Sequence, residues 1–121
     1  MDEPVVPEEA DGPTLAREYY RTIDAGDYDG LRSLLDPEFT HERGDRTLSG
    51  REEFVSFMAD RRPETDTEHE VTRIYTGPGG VAVQGELRRA DGSLFFRFVD
   101  VFQVEERLTH LVTYANSEGG R

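Results

Sequence analysis

Apolar residues in the first half of the chain recur at helical spacing. Leu15, Tyr19 and Ile23 stand four apart behind Pro13, a residue suited to a helix's first turn, and Gly26 closes that run. Leu31, Leu34 and Leu35 define a second, short helix from about Tyr28 to Leu35, stopped by Asp36-Pro37. Glu38 to Arg43 then alternates: Phe39, His41 and Arg43 share one face, Thr40 and Glu42 the other, which predicts a short strand. Gly44-Asp45 turns the chain, and Ser49-Gly50-Arg51-Glu52 has the spacing of a capping box. The helix it opens carries Phe54, Val55, Phe57 and Met58 and ends before Pro63.

Beyond that point the period changes to two. Strands are predicted over Glu68–Thr76, Val81–Arg89, Leu94–Val104 and Leu108–Tyr114. Gly77-Pro78-Gly79-Gly80 and Asp91-Gly92 supply hairpin turn chemistry, and Glu105-Glu106-Arg107 makes the third join. Helices set apart from an antiparallel meander define an α+β fold. Residues 1–12 read as a disordered acidic leader, 13–116 as one domain, and 117–121 as a tail.

Charge adds to this picture. The chain has 26 acidic residues against 14 basic ones, a net charge of -12, and every basic residue is arginine. In molar salt the Debye length shrinks to roughly 3 Å, so a dense carboxylate surface repels itself little while keeping the protein hydrated. The composition points to a halophilic, archaeal origin; an acidic protein of a GC-rich bacterium is the alternative. No basic stripe exists to neutralise nucleic-acid phosphates or anionic lipids. Cysteine is absent, which removes disulfides, thiolate metal sites and a cysteine nucleophile. The acidic start lacks the basic and apolar segments of a signal peptide, and no run approaches the ~20 apolar residues of a membrane span. A cytoplasmic protein is expected.

Three features could carry chemistry. The strand pattern puts Asp100 on one face with Phe96, Phe98, Phe102 and Val104. A carboxyl in such surroundings is desolvated, which raises its pKa and lets it donate a hydrogen bond to a carbonyl oxygen; pairing with an arginine is the structural alternative. His41 shares the inward face with Phe39, and His69 points away from Glu68 and Glu70, which argues against a local metal chelate there. His110 reads as an ordinary strand residue. Tyr19 lies on the apolar stripe of the first helix, where its hydroxyl needs a partner, while a phosphate loop, a helical pair of metal histidines and a serine elbow are all missing.

The segments Tyr19-Tyr20-Arg21-Thr22-Ile23-Asp24-Ala25-Gly26-Asp27-Tyr28 and Leu34-Leu35-Asp36-Pro37-Glu38-Phe39 resemble the opening of the nuclear transport factor 2-like superfamily. That group includes ketosteroid isomerases, SnoaL-type polyketide cyclases and scytalone-type dehydratases. Leu48-Ser49-Gly50-Arg51-Glu52 is similar to its entry to the third helix, and Phe98-Val99-Asp100-Val101-Phe102 with Leu111 to Tyr114 to its last two strands. The resemblance implies a cone-shaped, cystatin-like fold, with N-terminal helices packed on a curved, mainly antiparallel sheet around an apolar pocket. It sets Tyr19 and Asp100 on the oxyanion-stabilising pair of ketosteroid isomerase. It also sets the general-base position on Arg43, or on Glu42 if the register slips by one, and arginine cannot take a proton at neutral pH. For the scytalone-type dehydratases it sets the catalytic histidine near His69 but the helix-one tyrosine on Ile23.

The expected protein is SnoaL-like, with Phe39, Arg43, Phe57 and Phe98 lining the pocket beside Tyr19, His41 and Asp100. As an enzyme it would be a cofactor-free, metal-free isomerase, cyclase or dehydratase, with His41 or His69 as base and Tyr19 with Asp100 holding an enolate oxygen. Its partner would be a small apolar molecule bearing a carbonyl or carboxylate, and relatives imply a homodimer. A non-catalytic ligand-binding or dimerisation module is the alternative. The charge pattern carries its own expectation: the melting temperature should rise between dilute buffer and molar potassium chloride, and equal melts would reject the halophilic reading.

Overall fold

A computed structural model describes residues 11–44, 46–60 and 66–117, so most of the expected leader and tail lie outside the described residues. Three helices pack against one six-stranded sheet: α1 (Gly12–Ala25), α2 (Tyr28–Leu34) and α3 (Arg51–Asp60) with β1 (Leu35–Arg43), β2 (Arg46–Ser49), β3 (Glu68–Gly77), β4 (Gly80–Arg88), β5 (Leu94–Val104) and β6 (Leu108–Ser117). The strand order is β2-β1-β6-β5-β4-β3. All neighbours are antiparallel except β1 and β6. Among the described residues no helix is long and apolar enough to cross a membrane.

Local chemistry explains where the helices begin and end. Asp11 caps α1 by accepting from the Thr14 amide at 3.0 Å, and Asp27 caps α2 by accepting from Gly30 at the same distance. Gly26 closes α1 at φ 71, a left-handed conformation glycine takes without a Cβ penalty, and Asp27 N–H returns to the Thr22 carbonyl.

Three sequence readings change here. The second helix stops one residue early, because Leu35 is already the first residue of β1. Asp36, Pro37 and Glu38 fall where the β1–β6 register shifts, between Leu35 and Thr40, and a bulge tolerates a proline there. The turn at Gly44 also leads into an edge strand that the alternation did not reveal. Ser49 therefore ends β2 instead of capping α3, and Gly50 takes the cap position, its carbonyl accepting from Phe54 N–H at 3.1 Å. Glu52, read as the capping-box acceptor, bonds the Arg32 and Arg51 side chains instead.

The core lies between the helices and one face of the sheet. Leu15, Ile23, Leu31, Leu35, Phe39, Phe54, Val83, Phe102, Leu108 and Leu111 are all buried there. The alternation of β5 holds: Phe98, Asp100 and Phe102 are inside, and Val99, Val101 and Gln103 outside. Near one end the sheet is shaped by a register shift in β3 between Val71 and Arg73, opposite Gly85. Such a bulge bends and twists a strand. A Cβ on Gly85 would sit 2.6 Å from the Glu70 carbonyl oxygen and 2.8 Å from the Phe98 ring, so only glycine lets that ring lie flat on β4.

Candidate functional site

A cavity of about 210 Å³ opens between α1, α3 and the inner face of the sheet. At roughly 30 Å³ per water that is room for about seven waters, or a one- or two-ring molecule. Its wall is mostly apolar, from Ile23, Phe57, Met58, Leu87, Phe95, Phe96 and Phe98. Polar groups converge on it from six elements: Tyr19, His41, Arg43, Arg46, His69, Asp100 and Thr113.

Asp100 sits deep in this wall, 5% exposed. Its Oδ2 accepts from the Tyr20 hydroxyl and its Oδ1 from the Thr113 hydroxyl, both at 2.6 Å. Burial pushes its pKa up, while the two hydroxyl donors and the charges of His69 and Arg43 pull it down; burial wins. The Tyr20 hydroxyl is held well above its ordinary range by burial and by the neighbouring Asp100, so it remains a donor.

The chain of hydrogen bonds continues to His41, whose Nε2 lies 2.8 Å from Thr113 Oγ1. Threonine has one hydroxyl proton. If it goes to an ionised Asp100, His41 must donate through Nε2–H, and Nδ1 is left with a bare lone pair. If Asp100 carries a proton and bonds Thr113 with it, the hydroxyl turns to Nε2 and Nδ1 bears the hydrogen. In both arrangements Nδ1 is buried and has no hydrogen-bond partner among the described residues. Burial, with the charges of Arg43 and His110, brings the His41 pKa down to about 4, so the ring is neutral at pH 7.

On the other side of the cavity His69 meets Asp24. The Asp24 carboxylate accepts from the His69 backbone N–H at 2.9 Å and faces Nδ1 at 2.7 Å. A carboxylate there selects the Nδ1–H tautomer, which leaves Nε2 as the basic nitrogen. The ring packs at a tilt against Tyr20 and edge-on against Phe98, with centroids at 4.8 and 5.7 Å. Glu68 and Glu70 point away from it and are exposed, as the alternation required.

The cavity thus brings together Tyr19, His41, Arg43, Phe57, His69, Phe98 and Asp100. Phe39 is a correction: it is fully buried with its ring 5.0 Å from Phe54, in the core behind the wall and not on it. Arg43 faces inward, whereas Glu42 is on the other face, 2.9 Å from His110 Nε2. The hydroxyl on Asp100 belongs to Tyr20, where sequence had singled out Tyr19. Tyr20, Asp24, Arg46 and Thr113 were not foreseen. Tyr20 and Asp24 stand four apart on α1, so a second stripe beside Leu15, Tyr19 and Ile23 was the available signal. Among the described residues no group of three or more His, Cys, Asp or Glu is placed to hold a metal.

A six-stranded curved sheet closed by helices over an apolar cavity, with histidine, tyrosine and carboxyl groups in its wall, defines a cone with a cavity of small-molecule size. The chain belongs to the SnoaL-like domain family, which it matches over residues 16–109. It is similar in structure to an NTF2-like protein of unknown function from Cytophaga hutchinsonii, with TM-score 0.76 and 14% identity over 96% of this chain and 95% of that one. It is also similar to a candidate ketosteroid isomerase from Kribbella flavida, with TM-score 0.70 and 22% identity over 85% and 76%. A candidate polyketide cyclase from Sinorhizobium meliloti gives TM-score 0.72 and 15% identity over 83% and 93%. At these identities the likeness is one of fold. No curated protein matches the sequence.

The neutral, buried His41 has a consequence for stability. Its folded pKa of about 4 lies below the ordinary 6.5, so as the pH falls from 6.5 to 4 the unfolded chain takes up a proton that the folded chain refuses. This group alone should remove on the order of 3 kcal/mol over that window. Asp100, with its raised pKa, acts in the opposite sense, since its protonation favours the fold as pH falls. Urea unfolding of His41→Gln should therefore show a smaller loss of stability from pH 6.5 to 4 than the unsubstituted protein. Parallel pH profiles would show that His41 is not held neutral.

Proposed function

We propose that this SnoaL-like protein is a cofactor-free isomerase, cyclase or dehydratase of a small carbonyl-bearing molecule, with His69 as its base. The observation that carries this reading is the Asp24–His69 pair at the wall of an apolar cavity that also presents Asp100. Asp24 orients the imidazole, and Nε2 takes a proton from the carbon next to the carbonyl. Negative charge then develops on the substrate oxygen. Burial favours the protonated form of Asp100, which donates to that oxygen by turning its proton from Thr113 toward the cavity, and Tyr19 lines the same cavity. His41 is less suited to the base's role, because its ring is hard to protonate and its Nδ1 is shut off from solvent. A purely structural module would fill the cavity, so the open 210 Å³ favours a ligand-binding site over that alternative.

The assay is exchange of the α-hydrogens of 4-phenylbutan-2-one for deuterium in D2O, followed by proton NMR. His69→Gln should slow the protein-dependent rate by about 100-fold or more, and Asp24→Asn by about tenfold. Rates unchanged in both variants would reject the base assignment.

The same reading includes a homodimer through the outer face of the sheet. Tyr75, Val99, Val101 and Tyr114 are exposed there, and the register lines up Tyr75, Ala82, Val101 and Val112 across four strands. Light scattering in molar potassium chloride should give twice the chain mass; a monomer would reject this contact.

A further inference from the structure

Two arginines meet at one end of the cavity. Arg43 and Arg46 are direct cross-strand partners on β1 and β2, and both line the cavity. Like charges placed opposite each other on a ladder repel. On the wall of this pocket their charge favours a negative group over a neutral one. The Arg46 guanidinium lies over the Phe57 ring, 4.7 Å from its centroid, which fixes it against the wall. Arg43 is near enough to the interior for its charge to weigh on both His41 and Asp100.

The contrast with the rest of the molecule sharpens the point. Acidic residues outnumber arginines 26 to 14 in the chain, yet among the described residues the cavity wall holds two arginines and one acidic residue, Asp100. That carboxyl is deep, and its negative form is the one disfavoured by burial. The cavity is therefore a positively biased pocket within an acidic protein, with an aromatic lining to take an apolar body.

We propose that the ligand of this cavity is an amphipathic carboxylate, whose ring or chain fills the space between Phe57 and Phe98 and whose carboxylate is held by Arg43 and Arg46. Each guanidinium has five N–H donors in a planar fork, enough to grip a carboxylate beside the contacts each already makes within the protein. The inference rests on the reading of the cavity as a substrate site and narrows it: the reacting carbonyl belongs to an acid, with the carboxylate end at the arginines and the reacting carbon toward His69. In a concentrated salt solution a partly buried pair of this kind is screened less than an exposed one.

Calorimetric titration with two molecules of matching shape tests it. The probes are 3-phenylpropionate, an anion, and 4-phenylbutan-2-one, in which a neutral methyl ketone replaces the carboxylate. The full chain should bind the carboxylate at least about tenfold more tightly, the lower end of what a charge-assisted hydrogen bond contributes. Arg43→Gln with Arg46→Gln should abolish that preference. Arg46→Gln alone, a change at an exposed edge strand, should reduce it while leaving the thermal melt unchanged. Equal affinity for the two probes, no detectable binding of the carboxylate, or a preference that survives the double substitution would overturn the proposal. Should the preference be absent while the ketone's α-hydrogen exchange still depends on His69, this inference falls and the base assignment stands.

Discussion

A carboxyl group taken out of water loses its hydration, and at Asp100 the protein replaces that hydration with two hydroxyl donors. Much of the inner wall follows from this arrangement. Tyr20 must reach across from α1, which fixes how that helix lies over the sheet. Thr113 must face inward on β6, directly opposite Asp100 in the register. Its hydroxyl then hands the constraint on to His41 of β1, on the far side of β6. Three strands and a helix are tied together through one buried acid, in a low-dielectric setting where each such bond is strengthened and each unmet one costs more.

The network is polar where the rest of the core is aromatic, and the two are interleaved. Tyr19 contacts Tyr20 and Phe102 edge-on, each at 5.1 Å between centroids, so the helix that carries the Asp100 partner is also anchored apolarly. Phe98 serves two ends at once: its ring covers Gly85 at the bulged part of the sheet and forms one side of the slot that holds His69. The bend of the sheet and the orientation of the histidine are thus coupled through one side chain.

Electrostatically the molecule has an inside and an outside of different character. Several surface arginines pair with acidic neighbours, as in Arg32 with Asp29 and Glu52, or Arg88 with Glu70. Arg43 and Arg46 are distinguished by position, on the hairpin that closes one end of the cavity. An acidic shell suits solubility, whereas the proposed anion site at these two arginines would select what enters.

The sequence by itself determined the three helices, the four long strands and the inward faces of β1 and β5. These follow from short-range periodicity and from turn and cap chemistry, which neighbouring residues decide. It also singled out Asp100, His41, His69 and Arg43, because a polar residue within an apolar face is visible in the alternation. Tertiary structure alone decided which of two adjacent tyrosines meets Asp100. A step of one residue on a helix rotates a side chain by about 100°, and the angle at which α1 crosses the sheet brought Tyr20 to the carboxyl. It alone joined Asp24 to His69, 45 residues apart, and set Arg43 opposite Arg46 across a four-residue edge strand too short to show a period. Partners of this kind are chosen by packing in three dimensions, and the pattern along the chain carries no record of that choice.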